Sequence, residues 1–273
     1  MKNIAIMGTG MVGGALDRYF KTRQIEAGLY DPPKGLDDVS VLDRAEIVFV
    51  CVPTPYYEDT GFDRSYIDAA LQKLTGEKVV VIKSTIMPGT TAQLQEEYPH
   101  LRIMFNPEFL TEVSADQDMC FPDRQIVGTT ERSYTAAGDV LALLPLAPFE
   151  RVMSSTEAEM VKYFGNTWFA LKVAFANQFF DVCQKMGLNY DVIKEGAAAD
   201  KRIGRTHLDV VHKGYRGYGG KCLPKDVRTL IQLAKSFGLD FSLLEVSEAY
   251  NDKLIASQGM DTKWVEGSPK RNP

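Results

Sequence analysis

Ile4-Ala5-Ile6-Met7-Gly8-Thr9-Gly10-Met11-Val12-Gly13 is the stretch on which the reading of this chain turns. Four apolar residues read as a strand, Gly-x-Gly-x-x-Gly follows, and Met11 to Lys21 carries a helical pattern. The glycines have separate physical uses. Gly8 permits a tight turn off the strand, Gly10 permits close approach of backbone to a pyrophosphate, and Gly13 permits close packing of helix on strand. Met11 and Val12 open the helix, whose N-terminal backbone N–H groups then face the phosphate charge. Glu26 to Tyr30 reads as a second strand, and Asp31 follows it at once. A carboxylate there would bind the ribose hydroxyls of NAD and repel the 2′-phosphate of NADP.

Working outward, the alternation continues. Glu46 to Val52 is a third strand, apolar enough to be covered on both faces. Asp63 to Leu74 reads as a helix, Lys78 to Ile82 as a strand and Thr90 to Glu97 as a helix. Leu101 to Phe105 and Arg124 to Gly128 are further strands, and Arg132 to Leu144 is helical. This order predicts an α/β fold, a Rossmann-type doubly wound parallel sheet, over residues 1–150. The pattern then changes. No proline interrupts Thr156 to Met186, where Met160, Phe164, Trp168, Leu171, Phe175, Phe179, Val182 and Met186 recur at a helical period. Such a helix would be about 46 Å long, outreaching one small domain and suited to packing against a second subunit. Tyr190 to Ala199, Pro224 to Phe237 and Ser242 to Ser257 are further helices. Residues 151–258 are thus expected to form an all-helical central and dimerisation domain, and 259–273 a loose polar tail.

Composition narrows the class. The 273 residues carry a formal net charge of -5, which argues against nucleic acid as a partner. No apolar run approaches the roughly 20 residues that span a bilayer. Residues 1–7 enter a strand directly, with no signal peptide ahead of them. Cys51, Cys120, Cys183 and Cys222 form no Cys-x-x-Cys pair, and the histidines are dispersed. No metal site or disulfide framework is expected, and a reducing cytoplasm fits.

The second informative stretch is Gly217-Tyr218-Gly219-Gly220-Lys221-Cys222-Leu223-Pro224-Lys225-Asp226. A cysteine ends a glycine-rich loop, and Pro224 suits the first turn of the helix that follows. A thiol at a helix N-terminus beside a cation is expected to ionise readily and act as a nucleophile. Cys51 reads instead as strand core and Cys183 as helix core.

With these residues assembled, the chain resembles the UDP-glucose/GDP-mannose dehydrogenase family. The likeness runs in order through Gly8 to Gly13, Val52-Pro53-Thr54-Pro55, Lys83-Ser84-Thr85 with Pro88-Gly89-Thr90-Thr91, and Asn106-Pro107-Glu108-Phe109-Leu110 with Glu112. It continues through Pro122-Asp123-Arg124, Ala158-Glu159-Met160-Val161-Lys162 with Asn166, Arg202-Ile203-Gly204, and the cysteine loop. The resemblance implies NAD-dependent oxidation of a nucleotide sugar's C6 alcohol to a carboxylate, through a cysteine thiohemiacetal and thioester. It implies that Cys222 attacks the aldehyde and that Lys162 and Asn166 stabilise the oxyanion and touch substrate. Glu108 is then a base in thioester hydrolysis, Thr85 faces cofactor and water, and Asp226 positions or accepts a proton near the thiol. Val52, Pro53, Thr54, Glu112 and Lys225 join the glycine turn and Asp31 around the cofactor. Phe109, Leu110, Tyr218, Gly219 and Gly220 offer backbone to the sugar. Arg202 reaches the nucleotide across a homodimer, and Lys213 is a further substrate contact.

Family members continue into a third, nucleotide-binding domain, and this sequence stops soon after Asn251 and Asp252, where that domain would begin. Val113 stands where the family often has glycine. Two other readings stay open on the residues alone: an NAD-dependent dehydrogenase of a smaller hydroxy acid or sugar acid, and a non-catalytic NAD-binding dimer.

Overall fold

The structure is a computed structural model that describes residues 2–260. The part of the expected tail beyond residue 260 lies outside the described residues. Contacts group the chain into two units, one ending at Lys162 and one beginning at Tyr163.

In the first unit, β1 (Ile4–Met7), β2 (Ala27–Tyr30), β3 (Ile47–Val50), β6 (Val79–Ile82), β7 (Arg102–Phe105), β8 (Arg124–Thr129) and β9 (Phe149–Ser154) form one sheet. A short hairpin, β4 (Tyr56–Tyr57) with β5 (Gly61–Phe62), stands outside it. The strand order is β2-β1-β3-β6-β7-β8-β9, parallel except between β7 and β8. Six helices intervene: α1 (Met11–Thr22), α2 (Ser40–Arg44), α3 (Ser65–Leu71), α4 (Thr90–Glu97), α5 (Ala115–Cys120) and α6 (Ala137–Leu143).

Strand period places the core on both faces. Ala5, Met7, Val48, Val50, Val80 and Ile82 enter one apolar cluster, while Ile4, Ile6, Ile47, Phe49, Val79 and Val81 enter the other. These strands are buried runs for that reason. The seventh strand, β9, was not expected. Its FERVMS sequence is mostly exposed and shows no clean alternation, and the expected domain division at 150/151 falls inside it. Arg132 to Leu144 is not one helix either. Tyr134–Ala136 forms a 3₁₀ turn ahead of α6, where Thr130 and Ser133 bond to one another's backbone and hydroxyl groups.

The second unit is built on α7 (Ser155–Lys185), whose first two turns belong to the first unit. It adds α8 (Tyr190–Ala198), the hairpin β10 (Val211–His212) with β11 (Tyr215–Arg216), α9 (Leu223–Ser236) and α10 (Ser242–Ser257). Tyr163, Ala170 and Val173 of α7 pack with Tyr218, Val227, Leu230 and Leu244. A second cluster joins Ala176 and Cys183 to Tyr190, Ala198 and Leu208. Most of the apolar stripe read from the sequence faces outward, with Phe164 73% exposed and Phe175 64%, while its Leu171 packs against the unit's core.

Candidate active site

At the carboxyl end of β1 the glycine turn has the geometry its spacing predicts. Gly8 has φ +84°, and a Cβ there would lie 2.7 Å from the Cys51 carbonyl oxygen. A Cβ on Gly13 would lie 2.0 Å from the Gly8 carbonyl oxygen, so only glycine lets α1 approach this closely. Gly10, the residue capping α1, is different: no atom lies within 4 Å of where its Cβ would stand. That open side is where a pyrophosphate could approach the helix terminus.

Asp31 sits beside this turn. Its Oδ2 accepts from the Thr9 backbone N–H at 2.8 Å and from the Thr9 hydroxyl at 2.7 Å, and Lys34 Nζ lies 3.7 Å away. Burial works against its ionisation, but the Thr9 donors and Lys34 outweigh it and hold the carboxyl below its ordinary value. The strand ends that follow are tied together. The Thr54 hydroxyl donates to the Thr85 carbonyl at 2.6 Å, and the Ser84 hydroxyl to the Val52 carbonyl at 2.6 Å. Loops at the carboxyl ends of parallel strands form the crevice in which such folds hold ligands. The open Gly10, the ionised Asp31 and this loop pair fit a dinucleotide.

A buried charge cluster lies in the same unit. Glu108 and Lys162 are 7% and 5% exposed, and Lys162 Nζ meets Glu108 Oε1 at 2.7 Å. The same ammonium donates to the Glu108 carbonyl oxygen at 2.8 Å, and Glu108 Oε2 accepts from the Leu110 N–H at 2.8 Å. Burial alone would raise the Glu108 pKa, yet Lys162 and the Leu110 N–H bring it below the ordinary carboxylate value. The Leu110 amide, expected near the sugar, is thus engaged by Glu108. Phe109 beside it lies under the Arg124 guanidinium, 3.8 Å from ring centroid to cation.

Sequence reasoning assigned no role to two neighbours. Lys83, at the end of β6, donates to Asn106 Oδ1, and Asn106 Nδ2 donates to Gln125 Oε1 at 2.8 Å and to the Ile126 carbonyl at 2.7 Å. Burial lowers Lys83 to about 8 against the opposing pull of Cys51 and Glu108. Glu159 was also missed. Fully buried, it accepts from the Gly89 and Thr91 backbone N–H groups at 2.6 and 2.9 Å, caps α4, and lies one turn before Lys162. Its signal was a carboxylate amid apolar residues of a helix, which spacing alone does not distinguish from a surface charge.

The second unit holds the thiol. Cys222 caps α9 and is exposed, whereas Cys183 is buried. Burial pushes the Cys51 thiol up to about 12, so Cys51 is not a nucleophile near neutral pH. One turn into α9, Asp226 is 1% exposed. Its Oδ2 accepts from Asn166 Nδ2 at 2.5 Å and its Oδ1 from Lys225 Nζ at 2.6 Å. Asn166 and Asp226 therefore meet, a contact the sequence did not announce, while Lys225 serves Asp226.

The remaining residues differ in exposure and in their neighbours. Glu112 is exposed, Thr85 is half-buried, and Gly219 and Gly220 are half-buried with Gly220 at φ +76°. Arg202 is exposed and paired with Asp200 at 2.6 Å, and Lys213 is exposed at φ +51°. The Tyr218 N–H, expected to face the sugar, donates instead to Asn251 Oδ1 at 2.8 Å. Its ring is buried in the core of the unit.

A mostly parallel sheet with an aspartate-held glycine turn gives the first unit the form of a dinucleotide-binding domain. Comparison with known proteins carries this further. The model of the UDP-glucose/GDP-mannose dehydrogenase NAD binding domain matches residues 36–142, and that of the family's central domain matches residues 156–253. The chain belongs to the UDP-glucose/GDP-mannose dehydrogenase family. It is 39% identical to a UDP-glucose 6-dehydrogenase of Pseudomonas aeruginosa over 77% of this chain and 49% of that one. It is 32% identical to the UDP-glucose 6-dehydrogenase TuaD of Bacillus subtilis over 93% of this chain and 63% of that one. Among solved structures, a UDP-glucose dehydrogenase from Pyrobaculum islandicum superposes with a TM-score of 0.81 at 27% identity, covering 94% of this chain and 71% of that one. The chain thus spans about half to two thirds of the length of the curated relatives it matches. Among the described residues no helix is long and apolar enough to cross a membrane.

Proposed function

We propose that the chain oxidises the C6 alcohol of a nucleotide sugar to the carboxylate, reducing two NAD per sugar, with Cys222 as covalent nucleophile. The observation that carries this reading is the exposed thiol capping α9, backed within one turn by the buried Asn166–Asp226–Lys225 network. NAD supplies the hydride acceptor. Gly10 admits its pyrophosphate on a turn that Gly8 and Gly13 make possible, and Asp31 takes its ribose hydroxyls. The alcohol loses a proton and a hydride to become an aldehyde. The Cys222 thiolate adds to the aldehyde carbon, and the new S–C bond gives a thiohemiacetal. A second hydride departs and leaves a thioester. Water cleaves the S–C bond, releasing carboxylate and regenerating the thiol. A cation such as Lys162 and an amide such as Asn166 are apt donors to the oxyanions of these steps. Glu108, kept ionised, is apt to take a proton from the attacking water. Arg202, Lys213, Phe109, Leu110, Gly219 and Gly220 remain candidate substrate contacts.

We also propose a homodimer through α7. Phe164, Trp168, Phe175, Phe179 and Val182 on this helix, with Met186 just past its end, all stand exposed, an apolar stripe of the kind an interface covers. Phe175→Glu should convert a dimer to a monomer in analytical ultracentrifugation; an unchanged mass would exclude this stripe.

The reaction is tested by NAD reduction with UDP-glucose, UDP-GlcNAc, UDP-ManNAc and GDP-mannose. Two NADH per sugar consumed supports the double oxidation. One NADH with a small hydroxy acid, or tight NAD binding without reduction, supports the simpler dehydrogenase or the non-catalytic dimer.

A further inference from the structure

The segment leading into Cys222 is held by side chains of α10 in the way a neighbouring strand would hold it. Asn251 Oδ1 accepts from the Tyr218 N–H at 2.8 Å, and Asn251 Nδ2 donates to the Tyr218 carbonyl at 2.9 Å. Gln258, at the C-cap of α10, does the same for Arg216: its Oε1 accepts from the Arg216 N–H at 2.8 Å and its Nε2 donates to the Arg216 carbonyl at 3.0 Å. The two amides are seven residues apart and so share a helix face, while the two residues they serve are two apart, on either side of Gly217. β11 pairs with β10 along one edge, and these amides serve Arg216 and Tyr218 from α10.

Gly217 lies between the clamped residues at φ +95°, and a Cβ there would stand 2.7 Å from Asn251 Oδ1. Any side chain would push the clamp open. Two further anchors hold the same segment. The Arg216 guanidinium donates to Asn177 Oδ1 at 3.0 Å and to Asp181 Oδ1 at 2.7 Å, and the Tyr218 ring is buried. Beyond Cys222 the chain is fixed again, because Pro224 is buried and the Asp226 N–H donates to the Cys222 carbonyl at 3.0 Å. Only Gly219, Gly220 and Lys221 separate the clamp from the cysteine.

We propose that Asn251 and Gln258 are positioning residues for the reaction, holding residues 216–218 so that the sulfur of Cys222 is presented in one place. The inference rests on the reading of Cys222 as nucleophile. A buried amide that spends its acceptor and a donor on one backbone residue sets position more strictly than a single bond could. Near the reacting atoms a displacement of about 1 Å is enough to cost about 10²-fold in rate.

The test compares the whole chain with Asn251→Ala, Gln258→Leu, and Leu208→Ala, which destabilises the other core cluster of the unit. Three quantities are read: the rate constant for iodoacetamide labelling of Cys222 by peptide mass, the NAD dissociation constant, and kcat against KM. Asn251→Ala should change the labelling rate at Cys222 and lower kcat about 10²-fold, with NAD affinity unchanged. Gln258→Leu should do the same to a smaller extent, about tenfold. Leu208→Ala should lower the melting temperature and leave labelling as it was. The proposal is overturned if both clamp variants label and turn over like the parent. It is equally overturned if Leu208→Ala reproduces their effect at equal thermal loss. If Asn251→Ala does not fold, Gln258→Leu decides, since its side chain is exposed. Full turnover by Cys222→Ser would end the nucleophile reading instead, and the labelling rates would still judge the clamp.

Discussion

Lys162→Met strands one carboxylate in the interior, and its cost can be worked from the contacts. Glu108 loses a 2.7 Å ion pair, and its own carbonyl loses a 2.8 Å donor. It keeps the Leu110 N–H and the field of Lys83. Breaking a buried pair costs about 3–5 kcal/mol, and the remaining partners put this case at the low end, about 3 kcal/mol. For a chain of this size that is a fall in melting temperature of about 6–12 °C. The cost should depend on pH. In the parent, the lowered Glu108 pKa contributes stability that is present above the unfolded carboxylate value and lost as pH falls through the folded one. In the variant the burial penalty dominates and the carboxyl takes up a proton more readily. The difference between parent and variant should therefore shrink from pH 7 to pH 4. Urea unfolding of Lys162→Met, Glu108→Leu and the double variant measures the coupling, expected at about 2–3 kcal/mol. A coupling under about 0.5 kcal/mol, or a cost independent of pH, would refute the reasoning.

Three other predictions concern the first unit. Gly13→Ala should lose several kcal/mol of stability, about the range of a severe core overlap, because its methyl would meet the Gly8 carbonyl oxygen at 2.0 Å. Gly10→Ala has open space and should fold like the parent yet bind NAD weakly; calorimetric binding equal to the parent would show that the pyrophosphate lies elsewhere. Lys83, lowered by burial from 10.5 to about 8, binds fewer protons folded than unfolded between those values, so stability should rise with pH across that window. Lys83→Met should flatten this rise, which amounts to about 3 kcal/mol; parallel stability curves from pH 8 to 10 would contradict it.

The legible parts of this protein were those with local causes. β1, β3 and β6 are short, fully buried apolar runs, and α7 declares itself by period. The glycine turn could be read because its three glycines lie within six residues, although Gly8 is also held to glycine by the distant Cys51 carbonyl. β9 was invisible because its side chains are largely exposed, and α2 and α5 are too short to show a period. The polar site followed a different rule. Glu108 and Lys162 meet across 54 residues of sequence, and Asn166 and Asp226 across 60, so no spacing announces either pair. Only the family resemblance singled them out. Lys83 and Glu159 lie in the resembling segments without a role assigned to them, and Asn251 had none either, since each acts by filling a partner's hydrogen-bonding capacity that only the fold brings near.

The most direct measurement is peptide mass mapping of the chain quenched in acid during turnover with NAD and a nucleotide sugar. The expected result is an oxidised sugar nucleotide carried on the peptide containing Cys222, and no such adduct on Cys51 or Cys183. NADH formation with an unmodified Cys222 peptide, together with undiminished turnover by Cys222→Ser, would contradict it.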